Sequence, residues 1–145
     1  MNILIVNGAN MKSLEKRGAM YGGLTLQEMN QKIIEKVNSK KVTLEFFVSN
    51  SEGEIIDRLQ MQNFDALVIN PAAYSHYSYA IFDALSMLAC KKIEVHLSNI
   101  HAREEFRKTS ITAAACDAVI SGLGYHGYIA AIEHLIMHYE LIEYL

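Results

Sequence analysis

The sequence is poor in the residues and runs that mark several large protein classes. Its 145 residues include no tryptophan, one proline and two cysteines, and the formal net charge is −3. Because Cys90 and Cys116 form no spacing motif, a disulfide scaffold or a cysteine-rich zinc module is disfavoured. A nucleic-acid-binding domain would normally show a basic excess. No apolar run reaches the roughly 18 residues of a membrane span, so we expect no membrane contact.

What the sequence does contain is enough apolar material for one packed domain. Hydrophobic residues make up 51% of the chain, and a chain of this length buries roughly 68–70% of its unfolded surface. The first residues lead directly into an apolar run with no basic start and no small-residue cleavage site, so we expect no signal peptide and a cytoplasmic protein. Without linkers, repeats or low-complexity segments, residues 1–145 are expected to form a single domain.

Five short apolar segments alternate with helical patterns along the chain. The strand candidates are residues 3–7, 44–49, 66–70, 93–97 and 118–121. The helical patterns are residues 25–37, 52–62, 79–89 and 128–144, with a short piece near 102–107. This alternation predicts an α/β fold with a parallel sheet covered by helices on both faces. Five such units favour the flavodoxin-like strand order 2-1-3-4-5.

Polar residues follow the first, third and fourth strands, whose carboxyl ends would lie side by side in that order. They are Asn7, Asn10, Arg17, Tyr21, Asn70, His76, His96, Ser98, Asn99, Arg103 and Arg107. The sequence therefore predicts one pocket at this edge of the sheet. The connection over residues 8–24 is long enough for a lid, and its glycines would let it hinge and deliver Arg17 and Tyr21.

Three local patterns suggest other functions, and each has a simpler explanation. Residues 122–127 match the G-x-G-x-x-G dinucleotide pattern, but no later strand supplies the ribose-binding acid, which favours a tight turn with close helix–strand packing. His134 and His138 have a metal-site spacing without a third ligand, so a polar helix face or a subunit contact is favoured. Asn7 and Asn70 stand where a phosphoacceptor receiver needs acids, and residues 8–12 are unlike the phosphate loop of a flavodoxin. We expect neither metal nor cofactor.

The segment over residues 93–107 has the most specific pattern, IEVHLSNIHAREEFR. Glu94 and His96 are two apart on a strand, so their side chains share a face and Glu94 would orient the His96 ring. Arg103 and Arg107 are four apart, which predicts one face of a short helix. Pairing with the neighbouring glutamates is the simpler interpretation of either arginine. A histidine at the carboxyl end of a strand, beside two arginines, nevertheless indicates a functional site.

This segment resembles the signature of the type II 3-dehydroquinate dehydratases. Residues 6–8, 49–53, 69–71 and 73–76 are similar to the same family, so the resemblance extends in order along essentially the whole chain. It implies a flavodoxin-like three-layer sandwich assembled as trimers within a homododecamer. It also implies a cofactor-free hydro-lyase that converts 3-dehydroquinate to 3-dehydroshikimate, in the shikimate pathway of aromatic amino-acid biosynthesis or in quinate breakdown.

The resemblance implies a role for most of the site residues. Tyr21 would remove the C2 proton, Arg17 would stabilise the phenolate and the transition state, and His96 would protonate the departing C1 hydroxyl. The implied substrate-binding residues are Asn70, His76, Asp83, Leu97, Ser98 and Arg107. Of these, Leu97 and Ser98 would offer backbone N–H groups to the carboxylate, and Asp83 would reach toward a neighbouring subunit's site. Their positions and chemistry add Asn10, Glu94 and Arg103 as supporting residues.

The chain departs from the family pattern mainly in the lid. Residues 8–12 read Gly-Ala-Asn-Met-Lys in place of Gly-Pro-Asn-Leu-Asn, and Glu15 and Ala72 stand where glycines are expected. The segment from Arg17 to Tyr21 is one residue shorter than usual, which leaves open whether Lys16 or Arg17 activates Tyr21. These changes motivate an alternative function, a catalytically impaired homologue that binds the keto-acid without turnover.

Overall fold

Five parallel strands form a sheet in the computed structural model, which describes residues 1–39 and 41–143. The strands are β1 (Asn2–Asn7), β2 (Thr43–Val48), β3 (Ala66–Asn70), β4 (Lys91–His96) and β5 (Ala118–Ser121). Their order is β2-β1-β3-β4-β5, and every neighbouring pair is parallel. The predicted α/β fold and its flavodoxin-like strand order are confirmed.

Four α-helices connect or follow these strands. They are α1 (Leu26–Val37), α2 (Glu52–Gln60), α3 (Tyr79–Ser86) and α4 (His126–Glu143). Thr25, Ser51 and Ser78 precede the first three, and each side chain accepts a hydrogen bond from a backbone N–H in the first turn. These caps satisfy donors that have no partner inside the helix. Helix α4 begins before its predicted start at residue 128, and its predicted end at residue 144 lies outside the described residues.

The sheet separates two apolar cores. Ile3 and Ile5 face one core, which includes Tyr128 of α4. Leu4 and Val6 face the other, against α2 and α3. Because both faces of β1 are covered, its side chains are apolar without alternation, as in other buried parallel strands. The edge strands β2 and β5 are only partly buried, whereas the central strands β1, β3 and β4 are buried along most of their length.

The predicted short helix near residues 102–107 does not form. The chain makes two 3-10 turns there, Ile100–Ala102 and Glu105–Arg107. Between them Arg103 (φ −118°, ψ −160°) and Glu104 (φ −57°, ψ 148°) have extended backbones. The prediction that the two arginines share one helix face was therefore wrong, because the extended pair breaks the helical path. The segment over residues 8–24 also contains 3-10 turns, Met11–Arg17 and Ala19–Tyr21.

The glycine pattern after β5 makes a turn and a close packing contact. Gly122 and Gly124 have φ values of +93° and +57°, which favour glycine. A Cβ atom on Gly127, near the start of α4, would lie 3.1 Å from Val95 Cγ1 and 3.4 Å from Ile120 Cγ2. The absence of a side chain at this residue therefore lets the helix lie close to β4 and β5 without displacing Val95 or Ile120. The structural interpretation of the pattern is confirmed.

The other sequence patterns have ordinary structural settings. His134 is exposed on α4, and His138 is half-buried with its ring edge-on to Tyr139 at 5.6 Å. Cys90 and Cys116 are free thiols. Within residues 1–39 and 41–143, no helix combines the length and the apolar character needed to cross a bilayer.

Candidate active site

A small hollow lies at the carboxyl ends of the central strands, where the sequence predicts a pocket. It is lined by Met11, Arg17, Tyr21, Asn70, Ala72, Ala73, His76, His96, Leu97, Ser98, Ile100, Arg103 and Arg107. The segments after β1, β3 and β4 thus converge on one site. The volume open to water in the hollow is about 30 Å³.

Tyr21 is held between two guanidinium groups. Arg17 Nη2 donates a hydrogen bond to the Tyr21 hydroxyl at 3.1 Å, and Arg103 Nη1 donates to the same oxygen at 2.5 Å. The two guanidinium carbons lie 4.2 and 5.4 Å from the centre of the Tyr21 ring. Lys16 is exposed and does not line the hollow. The Tyr21 oxygen thus accepts two hydrogen bonds from permanently charged donors.

Glycines shape the segment that presents Tyr21. The turn Ala19–Tyr21 is bounded by Gly18 at φ +89° and Gly22 at φ +87°, both in the range that favours glycine. The Gly22 N–H closes the turn by donating to the Ala19 carbonyl at 3.0 Å. This tight turn brings Arg17 and Tyr21 into contact even though the segment between them is one residue shorter than the family pattern.

His96 is buried at the end of β4 beside a buried carboxylate. Its Nε2 atom lies 2.8 Å from Glu94 Oε2, and the exposed fractions are 5% for His96 and 0% for Glu94. The alternation of side chains along the strand places both on one face, as the sequence predicts. Glu94 also accepts hydrogen bonds from the hydroxyls of Ser110 and Thr112. No spacing pattern in the sequence indicates these two contacts, because the chain must first turn back toward β4.

His76 and Arg107 line the side of the hollow next to His96. His76 Nδ1 is 2.9 Å from the Thr109 carbonyl oxygen, and its ring is stacked 6.4 Å from the His96 ring. Since a carbonyl only accepts, the hydrogen lies on Nδ1 of His76. Arg107 Nε donates to the Glu104 carboxylate, and this hydrogen bond holds the pKa of Glu104 below its usual range. Arg107 thus pairs with a neighbouring glutamate, as predicted, and also lines the hollow.

A chain of hydrogen bonds fixes the amide of Asn70. Its Nδ2 donates to the Tyr128 hydroxyl at 2.9 Å, and that hydroxyl donates to Asn7 Oδ1 at 2.5 Å. The Ala72 N–H donates to Asn70 Oδ1 at 3.0 Å. These contacts leave the second N–H of the Asn70 amide for the hollow or for the weakly accepting sulfur of Met11, 3.9 Å away. Tyr128 was not predicted as a site residue, since its contacts with Asn7 and Asn70 join segments more than 50 residues apart.

Comparison with known proteins identifies the family. The family model of class II dehydroquinases matches residues 1–136. The chain belongs to the class II dehydroquinase family. This dehydroquinase is 52% identical over 136 residues to the 3-dehydroquinate dehydratase of Thermotoga neapolitana, which covers 93% of this chain and 94% of the relative. It is 51% identical over 138 residues to that of Clostridium botulinum, covering 93% and 94%. The predicted resemblance is confirmed.

A solved structure has the same fold. The crystal structure of type II dehydroquinase from Butyrivibrio crossotus superposes with a TM-score of 0.89 at 46% sequence identity. The alignment covers 93% of this dehydroquinase and 97% of the other chain. The sheet and the helices therefore have the fold of a type II dehydroquinase.

Some predicted site residues of this dehydroquinase do not line the hollow. Asn10 is exposed with φ +68°, and its backbone N–H donates to Asn50 Oδ1 at 2.9 Å. Asn99 is exposed and caps the turn that follows it. Asp83 is exposed on α3, so its contact with a neighbouring subunit stays a prediction.

The hollow is cationic. Arg17, Arg103 and Arg107 line it, and no carboxylate is among the described residues of its lining. Arg103 Nε is buried and makes no hydrogen bond to any described residue, while Nη1 also donates to Ser98 Oγ at 3.1 Å. An anionic ligand would satisfy this buried donor. Among residues 1–39 and 41–143, no cluster of three His, Cys, Asp or Glu side chains has the geometry of a metal site.

Proposed function

We propose that this dehydroquinase dehydrates 3-dehydroquinate to 3-dehydroshikimate, with Tyr21 as the base and His96 as the acid. The observation that supports this assignment best is the pair of guanidinium donors on the Tyr21 oxygen, in a hollow that His96 also lines. Relatives of about half-identical sequence have the name 3-dehydroquinate dehydratase. We further propose that residues 1–145 work as one domain.

The first step is removal of a proton next to a ketone. Such a proton is weakly acidic, so the base must be strong, and a phenolate stabilised by two guanidinium groups meets this requirement. The electrons left behind form an enolate whose oxygen needs fixed donors. The second N–H of the Asn70 amide, whose other acceptor is the weakly accepting sulfur of Met11, is a candidate because Tyr128 and Ala72 hold the amide in one orientation.

The second step is loss of the C1 hydroxyl, which is a poor leaving group without a proton. His96 donates that proton as an imidazolium, and the buried Glu94 carboxylate stabilises the imidazolium through its contact with Nε2. Water then departs and the conjugated enone remains. Arg107 and His76 would hold substrate hydroxyls, and the backbone N–H groups of Leu97 and Ser98 would bind the carboxylate.

The assay follows ultraviolet absorbance, which rises as the conjugated enone forms from 3-dehydroquinate. We expect Tyr21→Phe and His96→Ala each to lower kcat by roughly 10²–10⁴-fold, the usual contribution of a general acid or base. Tyr79→Phe is the matched control, because Tyr79 is 69% exposed on α3 and does not line the hollow. Full activity in either site variant would remove that residue from its proposed role.

The alternative is a homologue that binds the keto-acid but does not convert it. Its motivation is the shortened lid, yet the Arg17–Tyr21 contact of 3.1 Å forms across that segment. Calorimetric binding of 3-dehydroquinate to the wild type without enone formation would support the alternative and reject the dehydratase. We also propose a cytoplasmic location, from the sequence pattern of the first residues, and an assembly into trimers and a homododecamer, from the family. Analytical ultracentrifugation tests the assembly.

A further inference from the structure

The Glu94 carboxylate makes more contacts than orientation of one histidine requires. It is fully buried, and both of its oxygens accept hydrogen bonds. Oε2 accepts from Ser110 Oγ at 2.6 Å and lies 2.8 Å from His96 Nε2. Oε1 accepts from Thr112 Oγ1. Three donors thus occupy most of the roughly four acceptor positions of a carboxylate.

The two hydroxyls lie on a segment that is itself anchored. The Ile111 N–H donates to the Ser75 carbonyl at 2.7 Å, which ties the segment to the loop after β3. The Ala113 N–H donates to Ser110 Oγ at 3.1 Å, so that oxygen is fixed from both sides. Thr112 is fully buried. The hydroxyls are therefore held in place before any ligand enters.

This arrangement removes the rotational freedom of the carboxylate. A carboxylate bound only to an imidazole can turn about its last side-chain bond, and the ring turns with it. With Ser110 on one oxygen and Thr112 on the other, the plane of the Glu94 carboxylate is fixed. Oε2 then keeps a hydrogen on Nε2 of His96, and Nδ1 is the nitrogen that gains and loses a proton.

We propose that Ser110 and Thr112 are positioning residues that hold Glu94, and through it the ring and the tautomer of His96. Neither hydroxyl lines the hollow, so both act through Glu94 and not on the ligand. The catalytic consequence rests on the proposed dehydratase function, whereas the effect on the His96 ring does not. Loss of the hydroxyls should therefore impair the chemical step and leave substrate binding nearly unchanged.

Kinetics of matched variants test the catalytic part. Thr112→Val keeps the shape of the side chain and removes the hydroxyl, and we expect it to lower kcat about tenfold. The double variant Ser110→Ala/Thr112→Val should lower kcat about 100-fold. Both values are taken by analogy with other groups that orient a functional histidine. KM should change less than about twofold. Thr112→Ser restores the hydroxyl and should restore most of kcat. Ser86→Ala is the control, because Ser86 is exposed at the end of α3, where its Oγ donates to the Phe82 carbonyl.

Nitrogen-15 NMR of the histidine rings tests the structural part without substrate. In the folded wild type, the Nε2 hydrogen of His96 should exchange slowly and Nε2 should have the shift of a protonated nitrogen. In the folded Ser110→Ala and Thr112→Val variants that hydrogen should exchange faster and the ring signals should move. If Thr112→Ser behaves like Thr112→Val, or if the single variants keep both kcat and the wild-type ring signals, the proposal is overturned. A wild type with these ring signals but no turnover would reject the dehydratase function alone.

Discussion

Replacing Tyr128 by phenylalanine removes one oxygen atom from the hydrogen-bond chain behind Asn70. That oxygen accepts from Asn70 Nδ2 at 2.9 Å and donates to Asn7 Oδ1 at 2.5 Å, and all three residues are buried. The ring itself fits unchanged, so the variant creates almost no cavity. Two buried amide groups lose a partner that water has little room to replace.

The expected loss of stability follows from those two groups. Leaving one buried polar group without its partner costs about 1–3 kcal/mol, so the pair should cost about 2–6 kcal/mol of unfolding free energy. A chain of this length loses about 3 °C in melting temperature per kcal/mol, which gives a decrease of about 6–18 °C. Because Asn70 lines the hollow, kcat of the variant should also fall.

Calorimetry or circular dichroism measures the shift, with Tyr139→Phe as the control. The Tyr139 hydroxyl donates to the Asp65 carbonyl at the surface, where water can take its place, so its removal should cost less than about 1 kcal/mol. Burial raises the pKa of Tyr128 above its ordinary value of 10.0. The folded state therefore holds this proton longer, and wild-type stability should fall as the pH rises above about 10. Tyr128→Phe should lessen that fall in stability. Equal melting temperatures for Tyr128→Phe and Tyr139→Phe at neutral pH would refute the reasoning.

Two further substitutions test backbone positions near the hollow. Ala72 has φ +55°, so Ala72→Gly should raise the unfolding free energy measured in urea titrations by about 0.5–1 kcal/mol, because relief of the left-handed alanine outweighs the flexibility of glycine in the unfolded chain. Ala73→Gly is the control and should lower the unfolding free energy. Equal losses in the two variants would contradict backbone strain at Ala72. A Cβ on Gly8 would lie 2.8 Å from the Pro71 carbonyl carbon, so Gly8→Ala should cost about 2–3 kcal/mol. In Gly53→Ala, the added Cβ meets only Ser51 Oγ at 3.7 Å, so that variant should be neutral or stabilising.

The sheet was predictable because its signals are local. The strands over residues 66–70 and 118–121 have the predicted bounds, since apolar runs end where turn residues and Pro71 begin. Thr25 accepts a hydrogen bond from the Glu28 N–H at 3.1 Å, as its capping pattern predicts. The strand order followed from the arrangement that five strand–helix units most often adopt. Such features depend on neighbours in sequence or on rules shared by all parallel sheets.

The site was predictable only in part because its contacts join distant segments. The spacing of Glu94 and His96 on one strand was enough to predict their contact. The position of Arg103 on the Tyr21 hydroxyl was not predictable, because it depends on an extended backbone inside a pattern that resembles a helix. Ser110 and Thr112 reach Glu94 only after the chain turns back. The one sequence sign of the left-handed conformation at Ala72 is that the family pattern has a glycine there.

The contact between Tyr21 and Arg103 has a thermodynamic consequence for ligand measurements on this enzyme. We predict that the segment that presents Tyr21 opens to admit a ligand, as expected of a lid. Opening would separate the Tyr21 hydroxyl from Arg103 Nη1, which lies 2.5 Å away in this structure. An equilibrium dissociation constant then equals the intrinsic constant divided by the fraction of molecules that are open. A substitution that weakens this contact should therefore tighten apparent affinity for any ligand that does not itself need Arg103.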